Sequence, residues 1–173
     1  MKKYFLIILC LSSILMNKNC FAQDNTFEVK GLHTVYVEVY GNAFEGYTIG
    51  YDYALKLREK HKLSFNCGFG YVPDLDNFFN FFDFPIATEI SYLYGKEHHL
   101  ELGVGATCNT NFWSSKGGFY RADWFTPFRI GYRFQKDDGD LFFKAAATPF
   151  IWWNLSSFMP WFGVAVGYTF KSR

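Results

Sequence analysis

Seven ionisable residues recur at positions that could bring them together. Glu38, Asp52, Glu89 and Glu101 come from four separate segments, and Arg129, Arg133 and Lys144 from two later ones. Carboxylates gathered against guanidinium and ammonium groups can relay protons or ions, or they can pair and neutralise one another. An unpaired charge inside a narrow interior is expensive, and pairing offsets its desolvation. A salt-bridged filling is therefore the first expectation and a proton or ion path the alternative, with Lys56 completing four acids against four bases.

Other chemistry finds less support. The four histidines are His33, His61, His98 and His99. A serine nucleophile needs a histidine base within hydrogen-bond reach. Ser114, Ser115, Ser156 and Ser157 fall in segments expected at the opposite end of the molecule from all four histidines, so no enzyme is expected. Glu97, His98 and His99 resemble a metal site only superficially, because adjacent strand residues point to opposite faces. Asp74, Asp76 and Asp83 do not follow a calcium-loop spacing, and no phosphate loop or paired-cysteine motif occurs. No metal and no cofactor are expected. The net charge of +1 offers no electrostatic footprint for nucleic acid.

The elements that must position these residues follow from a period of two. Alternation of apolar with small or polar residues marks eight segments, roughly 33–41, 45–57, 61–71, 85–95, 98–108, 124–135, 139–150 and 161–171. One parity is bulky and apolar: Val35, Val37 and Val39; Leu63, Phe65 and Phe69; Leu100, Leu102 and Val104; Val164, Val166 and Tyr168. The other holds the seven charges among Ser64, Asn66, Gly68 and Gly70, Gly103 and Gly105, Gly131, and Gly163, Ala165 and Gly167.

That second face decides the class. A soluble ligand-carrying barrel turns its apolar face inward and shows water a face rich in Lys and Glu. Here the non-apolar face is mostly Gly, Ala, Ser and Thr, suited to a narrow interior, so the bulky face must point outward. Strands of about 9–11 residues, apolar outside and polar inside, are the signature of a membrane barrel. Connections after the second, fourth and sixth segments are short, and those after the third, fifth and seventh span roughly 72–84, 109–123 and 151–160. The expectation is an all-β, eight-stranded antiparallel transmembrane β-barrel with long external loops and short periplasmic turns. Aromatic residues, 23% of the chain, exceed what a core of this size can hide, and membrane interfaces would take them.

Residues 1–22 carry Lys2 and Lys3, an apolar run from Tyr4 to Met16, and Ala22 near a plausible cut, the pattern of a cleaved signal peptide. The barrel domain is then 23–173, with about eight residues before the first strand and no expected wall-binding domain. Cys67 and Cys108 fall on strands that are not neighbours, so no disulfide is expected between them. The expected loops carry exposed rings: Phe78, Phe79, Phe81 and Phe82 in the first long loop, Phe112 and Trp113 in the second, Trp152 and Trp153 in the third. These form a candidate contact surface for another protein, a glycan or a hydrophobic ligand, or they seat in lipid.

The segments HTVYVEVYGN, KLSFNCGFGYVP, FPIATEISYLYGKEHHLELGVGAT, FRIGYRF, LFFKAAATPFI and PWFGVAVGYTF resemble a group of small, largely uncharacterised outer-membrane β-barrel proteins of Bacteroidetes-type bacteria. The resemblance spans residues 31 to 170 and implies the same fold and an outer-membrane location, without an activity. One departure is at the end, where Lys171, Ser172 and Arg173 follow the aromatic Phe170. The function expected is a monomeric, side-chain-plugged barrel with a structural or surface-interaction role, in contact with outer-membrane lipid and lipopolysaccharide. A narrow channel or hydrophobic-ligand carrier is the alternative, and a lipid-modifying enzyme ranks third.

Overall fold

Ladder pairing follows the alternation along the chain and closes it on itself. The computed structural model describes residues 31–43, 46–73, 82–111 and 120–171. Its elements are β1 (Gly31–Tyr40), a 3₁₀ turn (Gly41–Ala43), β2 (Tyr47–Arg58), β3 (His61–Pro73), β4 (Phe82–Gly95), β5 (His98–Asn111), β6 (Tyr120–Phe134), β7 (Asp140–Ala147), β8 (Phe150–Trp152), β9 (Ser157–Met159) and β10 (Phe162–Lys171). Each of β1 to β6 pairs antiparallel with the next, and β10 pairs with both β7 and β1. No sheet edge is left along this ring, which is how a barrel satisfies every strand's backbone groups.

β8 and β9 are extensions of the wall. Ile130 pairs with Ala147 and Pro127 with Phe150, so β8 keeps the register of β7 along β6. Between them the Phe128 N–H donates to the Pro149 carbonyl at 2.8 Å, and the Thr148 N–H to the Trp161 carbonyl at 2.8 Å. The barrel thus has eight strands, the seventh running through β7 and β8 and the eighth through β9 and β10. Segment 151–160, expected as a long loop, is instead a hairpin tip that pairs Trp152 with Ser157. The other long loops are also shorter than expected. Val72 pairs with Asp83 and Pro73 with Phe82, while Asn111 pairs with both Asp83 and Tyr120. Backbone pairing continues past the point where side-chain alternation fades, because an antiparallel ladder needs only the main-chain groups.

The two faces part as the alternation requires. Val35, Ile49, Phe69, Ile90, Leu100, Ile130 and Val166 point outward and are between 46% and 66% exposed. Glu38, Asp52, Ser64, Ser91, Glu101, Arg129, Arg133 and Lys144 point inward and are at most 1% exposed. Cys67 and Cys108 are free thiols, on β3 and β5 with β4 between them.

The interior is not only small and charged, however. Tyr36 and Phe142 are buried in the lumen with ring centroids 5.8 Å apart. Tyr36 pairs across the ladder with Gly50 on one side and Gly167 on the other. A Cβ at Gly50 would lie 2.3 Å from the Tyr36 ring, so the small residues are sockets for large ones on neighbouring strands. Phe150 also points inward, at 3% exposure, and packs edge-on against Phe125 at 5.4 Å. It shares the parity of Lys144 and Thr148, and the register carries that parity through the break at Pro149.

A Gly50→Val substitution is expected to overfill the socket and destabilise the barrel by about 1–3 kcal/mol. An Ile130→Leu exchange on the outward face should leave stability within about 0.5 kcal/mol. Urea unfolding in detergent micelles, followed by tryptophan fluorescence, measures both.

Candidate functional site

Among the described residues, β6 supplies the two guanidinium groups of the lumen, from positions 129 and 133, two pleat repeats apart on the same face. β2 lies directly opposite in the ring, and β5 and β7 are its neighbours. The inward carboxylates therefore reach the arginines from several walls at once.

At the centre of the lower cluster is Arg133. Its Nη1 and Nη2 donate to the two carboxylate oxygens of Asp52, each at 3.1 Å. Nη2 also donates to Glu101 Oε1 at 2.5 Å, and Nε to Glu101 Oε2 at 3.3 Å. Ser64 Oγ donates to Asp52 and accepts from Arg133 Nη1 at 3.3 Å. The Phe142 ring lies under the guanidinium, 5.2 Å from Cζ to centroid. Two bidentate carboxylates on one arginine fix its planar fork in a single orientation.

Arg129 holds the upper cluster. Nε donates to both Glu89 oxygens at 2.9 Å, and Nη2 to Glu38 Oε1 at 2.8 Å. Lys144 Nζ stands 3.7 Å from the same Glu38 oxygen and 4.3 Å from the Tyr36 ring centroid. Glu89 also accepts from Asn42 at 2.8 Å, Asn66 at 2.9 Å and Ser91 at 2.9 Å. The structure thus brings Glu38, Asp52, Glu89, Glu101, Arg129, Arg133 and Lys144 into one continuous lumen.

Asn42 belongs to the 3₁₀ turn in the short connection between β1 and β2. It turns into the barrel mouth, where its carbonyl accepts from Thr107 Oγ1 at 3.0 Å. Gly41 makes this possible: its φ is +61°, and a Cβ there would lie 2.4 Å from the Glu38 carboxylate carbon. At the other mouth the β6–β7 turn folds under the lumen. Gln135 is buried and donates to Thr34 Oγ1 at 2.9 Å, while Asp137 bonds Lys62 at 2.6 Å and Lys56 at 2.7 Å.

Lys56 therefore does not join the central cluster as expected; it serves the mouth. The uncounted cation is Lys62, fully buried at the start of β3. Its signal was its inward parity with Ser64 and Asn66. With Lys62 and Asp137 included, Glu38, Asp52, Glu89, Glu101 and Asp137 face Arg129, Arg133, Lys144, Lys62 and Lys56, and the formal charges cancel. Partial burial would raise the Asp137 carboxyl, but hydrogen bonds from Lys56 and Lys62 hold it below its usual range.

Of the aromatic residues expected to form a contact surface, Phe82, Trp152 and Trp153 fall within the described residues. Phe78, Phe79, Phe81, Phe112 and Trp113 lie outside the described residues. Phe82 opens β4 opposite Pro73. Trp152, the last residue of β8, packs on Phe125 at 5.1 Å, while Trp153 in the turn that follows is 60% exposed. His98 and His99 also part, His98 outward and His99 buried in the lumen.

No protein-family model matches the chain. No curated protein matches it either. Among solved structures, the crystal structure of the N-terminal β-barrel domain of Pseudomonas aeruginosa OprF is similar with a TM-score of 0.53. The sequences are 15% identical, and the match covers 82% of this chain and 97% of that one. At that identity the likeness is one of fold.

Removing Arg133 leaves two buried carboxylates facing each other. Arg133→Met is expected to cost about 3–5 kcal/mol. Adding Asp52→Asn and Glu101→Gln should recover most of that loss, read as urea unfolding midpoints of the single and triple variants. Asp137 sets a pH dependence. Its folded pKa lies below an unfolded value of about 3.9, so its stabilisation is present above that value and is lost as pH falls through the folded one. Asp137→Asn should lower the unfolding midpoint at pH 7 and narrow the gap between wild type and variant under acid.

Proposed function

We propose that the chain is an integral outer-membrane β-barrel protein, exported through a cleaved leader, with a side-chain-plugged interior and a structural or surface-interaction role rather than an enzymatic one. The observation that carries this reading is the inversion of its packing: buried charges inside, a continuous apolar surface outside. In water such a surface would drive aggregation; in hydrocarbon it is the ordinary solvent-facing side. Strand lengths support the placement, since β2 to β6 each run 12 to 15 residues, enough to span a tilted bilayer crossing.

Rings supply the expected borders at both interfaces. Tyr40 packs on Trp161 and Phe162 at the loop end, and Phe69 stacks on Phe84 at 5.6 Å. Tyr53, Tyr94, Phe134 and Phe170 ring the turn end. The turn end is the periplasmic one in this reading, because short turns face the periplasm in such barrels. Lipid and lipopolysaccharide are then the immediate surroundings.

The plug favours structure over transport. Arg133 ties β6 to the facing β2 and to β5, and Arg129 ties β6 to β1 and β4, so a conducting path would have to part both. A hydrophobic cargo would meet the same charged interior. A surface role rests on the tip of the last hairpin, where Trp153, Leu155 and Phe158 are each at least 60% exposed beyond the wall.

The protein is expected in the outer-membrane fraction, with a gel mobility that changes on boiling. Planar bilayers containing it should show no sustained conductance. Recovery in the soluble periplasm would overturn the placement, and stable porin-like channels would overturn the plug.

A further inference from the structure

The turn end of the barrel repeats one arrangement three times on its outer face. His33 on β1 stands opposite Tyr53 on β2, with ring centroids 4.9 Å apart, and its Nδ1 bonds the hydroxyl of Tyr51. His61 on β3 stands opposite Tyr94 on β4 at 5.3 Å and bonds the Tyr92 hydroxyl. His98 on β5 stands opposite Phe134 on β6 at 5.2 Å and bonds the Tyr132 hydroxyl at 2.5 Å. In each case the histidine lies within the first three residues of an odd-numbered strand, and the two rings sit two residues apart on the next strand.

The fourth hairpin keeps the two rings, Tyr168 and Phe170, but Gly139 stands where the histidine would be. Its φ is +90°, a conformation that a histidine would adopt only under strain. The repeat is thus broken only where the backbone forbids it.

Each histidine also has a base on the turn side of it. Arg58 is the ladder partner of His61. Lys136 lies 5.9 Å over the Phe134 ring that packs on His98, and also bonds Asp140. Lys171 follows Phe170, the ladder partner of His33. A tyrosine hydroxyl that donates to Nδ1 leaves the proton on Nε2, and that N–H has no protein partner among the described residues. An outward N–H donor beside a cation, at the border of an apolar wall, matches a phosphodiester.

The geometry points to a ring of three binding sites for the phosphodiester headgroups of inner-leaflet glycerophospholipids, one at each His–Tyr pair. Histidine Nε2–H donates to a phosphate oxygen, and the neighbouring Arg or Lys balances its charge. The paired tyrosine hydroxyl holds the imidazole in the donating tautomer. The three sites fix the depth at which the barrel rides in the bilayer. This inference rests on the membrane-embedded reading, and its test separates the two.

The test is solid-state NMR on the full chain, labelled with ¹⁵N-histidine, in glycerophospholipid bilayers and phosphate-free buffer, so that lipid is the source of ³¹P. The ring nitrogens of His33, His61 and His98 should be dephased by ³¹P. His99, at 1% exposure inside the lumen, is the internal control and should not be. Dephasing of the three no greater than that of His99 would overturn the headgroup sites. Acyl-chain contacts to Ile49 and Leu100 serve the parent reading. If they persist without dephasing, only the headgroup sites fall; if they are absent, the membrane placement falls too. Combined Tyr51→Phe, Tyr92→Phe and Tyr132→Phe substitutions should weaken the dephasing while preserving the boiling-dependent gel shift. Unchanged dephasing would overturn the tautomer-holding role of the hydroxyls.

Discussion

The double clamp on Arg133 sets the terms for the rest of the molecule. A guanidinium held by Asp52 from one wall and by Glu101 from another removes three charges from water at once. Each would carry a penalty of several kcal/mol if left unpaired, on the order seen for buried ions in general. The pairing works only if strands from opposite sides of the ring keep their inward parity in register, because a slip of one residue would turn every charge outward. Closure of the barrel and pairing of the charges are therefore one requirement. Arg129, with Glu38 and Glu89, repeats that requirement one level higher in the lumen.

The glycines follow from the same constraint. Long side chains can cross a narrow eight-stranded interior only where their neighbours yield space. Gly50 and Gly167 yield it to Tyr36, and Tyr36 in turn lies under Lys144. Gly41 lets the first loop turn back so that Asn42 can serve Glu89. At the opposite mouth, Asp137 neutralises Lys62, which would otherwise be a buried cation with no carboxylate. Both mouths are thus closed by connections that also complete the charge pairing, and the proposed absence of conduction follows from that shared role.

Much of this was legible in the sequence, for a definite reason. Parity survives in a strand whatever its partners, so the inward set from Glu38 to Lys144 could be read without coordinates. What parity cannot supply is reach. Lys56 and Lys62 share the inward face, yet Lys56 ends at a mouth and Lys62 is the one fully buried; only the bend of the β6–β7 turn decides this. Asn42 sat in a short link with no alternation to mark it. Tyr36 and Phe142 are bulky residues on a small, polar face, and only the register shows the glycines that make room for them. The loop ends were misjudged because backbone pairing outlasts side-chain alternation, as at Val72 and Asp83. The three His–Tyr pairs were hidden differently: they join residues 18, 31 and 34 positions apart, and only the register places them side by side.

The central claim is that the charged face is the dry interior and the apolar face meets lipid. Solid-state NMR with magnetisation transferred selectively from water or from acyl chains tests it directly, without substitutions. In bilayers, Val35, Ile49, Val104 and Val166 should receive magnetisation from the acyl chains, while Asp52, Glu101, Arg129 and Arg133 should receive it from neither source at short transfer times. Rapid transfer from water to the four charged residues would indicate an open aqueous pore. Rapid transfer from water to the four outward residues would contradict the inverted barrel altogether.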